Sequence, residues 1–144
     1  MVFKIGPYAL RLPNTAVFPD PSESPAHGRA LPQFRIGPFD VHATLQNGTL
    51  QDWRDHVEWT TKYQATILDI EANDIPGLVL APALSAQRLD YGFQADSRET
   101  LSIVAWSDVP TTPRQQQLVN DMVLTIHLYE PTLQSSRQTQ PPSM

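Results

Sequence analysis

The chain has 144 residues, no cysteine, 14 prolines and a formal net charge of −5. That length suits a single domain with a core of its own, and the absence of cysteine excludes a disulfide framework and a thiolate metal site. The acidic balance, with 10 scattered Lys and Arg, argues against a general nucleic-acid binder, which needs excess positive charge against phosphate.

Residues 2–12 read as a strand bent at Gly6-Pro7. No apolar run is long enough for a signal peptide or a membrane span, so a cytoplasmic protein with no stable membrane insertion is expected. Pro13 to Pro32 reads as a polar, proline-rich loop. Residues 34–39, Phe-Arg-Ile-Gly-Pro-Phe, then echo residues 3–8, Phe-Lys-Ile-Gly-Pro-Tyr, as a bent strand used twice. The second copy runs on with clean alternation: Phe39, Val41, Ala43 and Leu45 on one face, Asp40, His42 and Thr44 on the other.

Asn47-Gly48 is a turn pair, and Thr49 with Asp52 makes a helix start signal. Leu50, Trp53, Val57 and Thr61 share one face of the helix expected over 50–64. Trp59 points the other way, among charged residues. It is either covered by a neighbouring segment or kept for a partner. Four strands follow, over 66–72, 75–81, 88–95 and 100–106. Asn73-Asp74 marks the first turn, Pro76 delays pairing to Leu78, and 96–99 is a polar hairpin loop. The last strand is apolar on both faces, as a central strand is. Thr112 and Pro113 open a second amphipathic helix, expected over 113–129 and ended by Pro131. The whole is an α+β domain over 1–131: an antiparallel meander of five or six strands with two amphipathic helices. Residues 132–144 read as a disordered polar tail.

The four histidines lie far apart, and no nucleophile elbow or phosphate loop is present. Asp69 with Glu71, Asp52 with Asp55, and His42 with Asp40 read as solvated polar faces. No catalytic residue, metal or cofactor is therefore expected.

The order of elements resembles the PsbP-like superfamily, which includes the photosystem II PsbP proteins, DcrB-type envelope proteins, nuclear Ran-binding proteins and the Eag chaperones of type VI secretion. Thr49-Leu50-Gln51-Asp52-Trp53 looks like its helix opening, Asp74-Ile75-Pro76-Gly77-Leu78 like the start of its second meander strand, and Tyr8-Ala9-Leu10-Arg11-Leu12-Pro13 like its N-terminal strand end. The Trp-x-Asp that often follows this strand in Eag chaperones is replaced by Asn14-Thr15-Ala16-Val17-Phe18. The resemblance implies a PsbP-like α/β sandwich and a non-catalytic chaperone or adaptor holding hydrophobic segments of a type VI effector. An immunity protein that plugs a toxin, and a small enzyme or ligand-binding protein using Asp69, Glu71 or His42 in a sheet–helix pocket, are the alternatives.

Apolar residues on both faces of several strands suggest a sheet face awaiting a cover, either an apolar protein segment or a second copy in a homodimer. Trp59, Leu68, Ile70, Tyr91, Phe93, Ile103 and Trp106 are the expected partner-binding residues.

Overall fold

A computed structural model describes residues 1–24, 30–95 and 99–129. The expected tail at 132–144, the end of the second helix's run at Pro131, His27 and residues 96–98 of the hairpin loop lie outside the described residues.

The chain opens with a hairpin, β1 (Val2–Ile5) and β2 (Tyr8–Arg11), and then makes a second, β3 (Phe34–Ile36) and β4 (Phe39–Asn47). The expected bent strand is thus a hairpin in both copies. Ile5 pairs with Tyr8 and Ile36 with Phe39, leaving Gly-Pro as a two-residue loop each time. Gly6 and Gly37 both sit at φ +56°, and proline cannot follow them into positive φ, so each turn is type II′.

Helix α1 (Leu50–Thr60) starts on a full capping box between Thr49 and Asp52. The side-chain oxygen of Gln94 accepts the Leu50 N–H at 2.8 Å, and the Thr100 hydroxyl donates to the Gly48 carbonyl at 3.1 Å. These bonds pin the start of the helix to the sheet. The helix is shorter than expected because its end is a Schellman motif: Tyr63 N–H reaches the Glu58 carbonyl at 2.7 Å and Lys62 N–H the Trp59 carbonyl at 3.2 Å.

Strands β5 (Ile67–Ala72), β6 (Ile75–Leu80), β7 (Arg88–Phe93) and β8 (Glu99–Trp106) form the meander. Asn73 and Asp74, at φ 51° and 66°, make the type I′ turn between β5 and β6. Strand β6 begins at Ile75, not Leu78. The two-residue turn makes Ala72–Ile75 a hydrogen-bonded pair, so Pro76, opposite Glu71, owes no N–H to β5. Helix α2 (Pro113–Val123) has its own capping box, Thr112 with Gln115. It too ends early: the Thr125 hydroxyl accepts the Arg11 N–H at 2.7 Å, and β9 (His127–Leu128) pairs with Tyr8 and Ala9 of β2.

Two antiparallel sheets result, β1-β2-β9 and β3-β4-β8-β7-β6-β5, so the expected α+β meander holds and β8 is central. The two helices lie on opposite faces of the larger sheet. Leu89, Tyr91 and Phe93 of β7 join the main core with Val119, Met122 and Val123 of α2. Gly92, pointing the other way, touches the Trp53 ring of α1. The small sheet adds Tyr8 and Leu10 to the α2 side, and Leu12 follows just beyond it. The chain's own first hairpin covers part of the face expected to need an outside cover. Arg35 ties the proline-rich loop down through Glu23 at 2.6 Å and reaches Asp40 at 2.9 Å.

Candidate functional site

Strand β5 ends the larger sheet and, among the described residues, pairs only with β6. Its alternation sends Leu68, Ile70 and Ala72 toward α2, and Ile67, Asp69 and Glu71 toward α1. An open groove flanks it on each side.

The groove on the α2 side holds about 320 Å³. Leu68, Val79, Leu80, Pro82 and Leu89 form its apolar lining, and Pro113, Gln116, Gln117 and Asn120 of α2 form the opposite wall. Gln116 is fixed by donating to the carbonyls of Ala83 at 3.1 Å and Leu84 at 2.9 Å, which also anchors the β6–β7 loop. The Tyr91 hydroxyl reaches into the groove and donates to Asn120 Oδ1 at 3.4 Å. Burial, then the nearby Asp121 and Asp90 carboxylates, push the Tyr91 phenol well above its usual range. At neutral pH the polar groups meeting here are amides and a protonated phenol. They give and take hydrogen bonds without moving protons.

The groove on the α1 side is larger, about 550 Å³, between Leu50, Gln51 and Arg54 of the helix and Asp69, Glu71 and Leu78 of the sheet. Arg54 is already engaged by Glu58, at 3.2 Å. The carboxylates of Asp69 and Glu71 are exposed.

At the C-terminal end of α1, Trp59 and Tyr63 are each 72% exposed and line a third cleft with Thr60 and Lys62. Lys62 and Tyr63 both sit at positive φ, 56° and 61°, a region that costs an L-residue roughly 1–2 kcal/mol. The described residues provide no covering segment for Trp59.

No protein-family model matches the sequence, and no curated protein matches it. Among solved structures, the chain is similar to the solution structure of cyanobacterial PsbP (CyanoP) from Synechocystis sp. PCC 6803. The identity is 15% and the TM-score 0.44, over 85% of this chain and 87% of that one. This likeness assigns no residue a role.

The seven residues expected to bind a partner do not form one patch. Leu68, 48% exposed, and Tyr91, through its hydroxyl, meet in the α2 groove. Ile70 is half-buried beside it. Phe93 and Ile103, both 0% exposed, lie in the interior under α2 and the small sheet, out of a partner's reach in the folded chain. Trp106 is half-buried on the opposite face, with the Arg88 guanidinium 4.6 Å from its ring centre; Arg88 in turn grips the buried Asp90 at 2.8 Å. Asp69 and Glu71 stand together, but His42 on β4 is four strands away, about 19 Å at the usual strand spacing. Those three cannot share one pocket. Sequence reasoning missed Gln116, Gln117 and Asn120, whose signal is an uncharged polar run on one side of α2. It also missed Tyr63, four residues beyond Trp59. Among the described residues, no helix is long and apolar enough to cross a membrane.

Proposed function

We propose that this protein is a non-catalytic binding protein that holds an apolar segment of another protein. In its specific form it is a cytoplasmic chaperone or adaptor of the Eag type, serving an effector of type VI secretion. Membership of the DcrB/Eag branch of the PsbP-like superfamily belongs to the same proposal and draws on the Thr49-Leu50-Gln51-Asp52-Trp53 helix opening.

The α2 groove carries this reading: an apolar floor open to solvent beside a sheet edge, with Leu68 48% exposed at its lip. Uncovered apolar surface rimmed by polar groups marks an interaction site. The rim of Gln117 and Asn120 offers hydrogen bonds to a bound backbone without demanding a charge. A groove of this size takes a few side chains and not a whole helix, so the held segment is gripped at anchor residues.

The test is a titration of isotopically labelled protein with a short apolar peptide. Shift changes are expected at Leu68, Val79 and Asn120, and Leu68→Asp should abolish them. Leu68 is at the surface, so this variant folds. Shifts that spare these residues, or persist in the variant, would overturn the proposal. A second copy of the chain is the competing occupant, and a sedimentation run on the free protein separates the two.

A further inference from the structure

We infer that β5 is a docking edge for one extended segment in which basic and apolar residues alternate. The inference rests on the binding reading above and adds backbone pairing and charge to it. It begins with the hydrogen-bonding phase of the β5–β6 ladder. Ala72–Ile75 closes the type I′ turn, and the Ala81 N–H donates to the Thr66 carbonyl at 2.8 Å. These fix Thr66, Leu68, Ile70 and Ala72 as the residues whose backbone groups face β6. Ile67, Asp69 and Glu71 therefore direct their N–H and C=O groups to the open side, where no strand pairs among the described residues. Backbone groups free at every second residue are what an added strand uses.

The side chains then specify what the added strand must carry. Its residues would drop by turns into the two grooves. On the α1 side they meet Asp69 and Glu71, both exposed, while Arg54 there is held by Glu58. Lysine or arginine suits that side, because opposite charges directly across a strand pair attract. On the α2 side they meet Leu68, Ile70 and Val79, and apolar residues suit that side. A second copy of this chain is a poor occupant. Antiparallel pairing of β5 with itself along its full length sets these carboxylates against their own copies, and like charges directly opposite repel.

The test uses a peptide alternating lysine and valine, compared with the same residues in two blocks, titrated by calorimetry at low and at physiological salt. The alternating peptide should bind at least about tenfold tighter. N-methylating alternate amides should abolish binding in one phase and spare it in the other. The double variant Asp69→Asn, Glu71→Gln should weaken binding roughly tenfold and flatten the salt dependence. Both substitutions are on exposed side chains, so the fold is kept. Equal binding of the blocked peptide, indifference to N-methylation in both phases, or equal binding by the neutralised variant would each overturn the inference. If an apolar peptide still binds and Leu68→Asp removes it, only the strand-docking inference falls; if no peptide binds, both readings fall. A dimer of the free protein that Asp69→Pro dissociates would hand the edge to a second copy instead.

Discussion

On the α2 side of the larger sheet, Phe34, Phe39, Phe93, Leu101 and Ile103 are enclosed without remainder, beneath both a helix and a three-stranded sheet. On the α1 side the buried apolar group is Trp53, Val57 and Leu78, with Ile67 and Leu80 half-buried beside it, and the strands also present Asp40, His42, Asp90 and Asp69. One sheet thus carries two unequal interfaces. The first is large enough to hold the fold together. The second seats one helix through a small cluster centred on Trp53, whose ring lies over Gly92, where an added Cβ would lie 2.8 Å from the indole. Stability and exposed chemistry are divided between the two faces, and both faces are within reach at the β5 edge.

Substitutions should separate the faces by size of effect. Phe93→Ala opens a cavity in the main core and is expected to destabilise by about 4 kcal/mol, read from urea unfolding. Trp53→Ala should lose about 3 kcal/mol, at the low end for such a truncation because its cluster can settle. Its signature is early hydrogen exchange over α1 while β8 stays protected; protection lost equally in both would merge the two interfaces into one. Lys62→Gly should stabilise by up to about 1 kcal/mol, since glycine accepts the positive φ of the Schellman cap. Trp59→Ala should change stability by less than about 0.5 kcal/mol, because the side chain is at the surface. If Trp59 anchors the partner, the same change weakens binding by more than about 2 kcal/mol.

The smallest effect is one of pH. The Arg35 hydrogen bond, helped by its charge, holds the Glu23 carboxyl below its ordinary value. A depressed folded pKa means the stabilisation is complete above the unfolded pKa, about 4.3, and is lost as pH falls through the depressed value. Thermal melts at stepped pH should show this acid-side loss, and Glu23→Gln should remove that component.

Much of this fold could be read in the residues because its signals are local. Thr49 and Thr112 announce their helices through side chains that reach three residues on, and Asn73-Asp74 announces its turn through backbone preference. Alternation placed Leu89, Tyr91 and Phe93 in one row correctly. It could not say what covers that row, because the cover comes from residues 8–12 and 119–126, far away in sequence. That is why Phe93 and Ile103 belong to the core while Leu68, in the same apolar set, stays at the lip of a groove. The early end of α2 was hidden for a related reason. Ile126 continues the helical stripe and is indeed buried, but strand pairing of the next residues with β2 overrides helix propensity.

The pairing of β2 with β9 also governs the order of assembly. Residues 8–9 are made long before residues 127–128, and closing a loop of that length carries an entropic cost that local contacts do not offset. The helix-capped meander can form first, from neighbours in sequence. Among the described residues, the N-terminal hairpin has no sheet partner until β9 leaves the ribosome. Through that interval, the aromatic residues that later form the main core lack the part of their cover that β2 supplies. A nascent chain stalled before Ile126 should therefore display the part of that surface that the docked hairpin encloses in the finished protein.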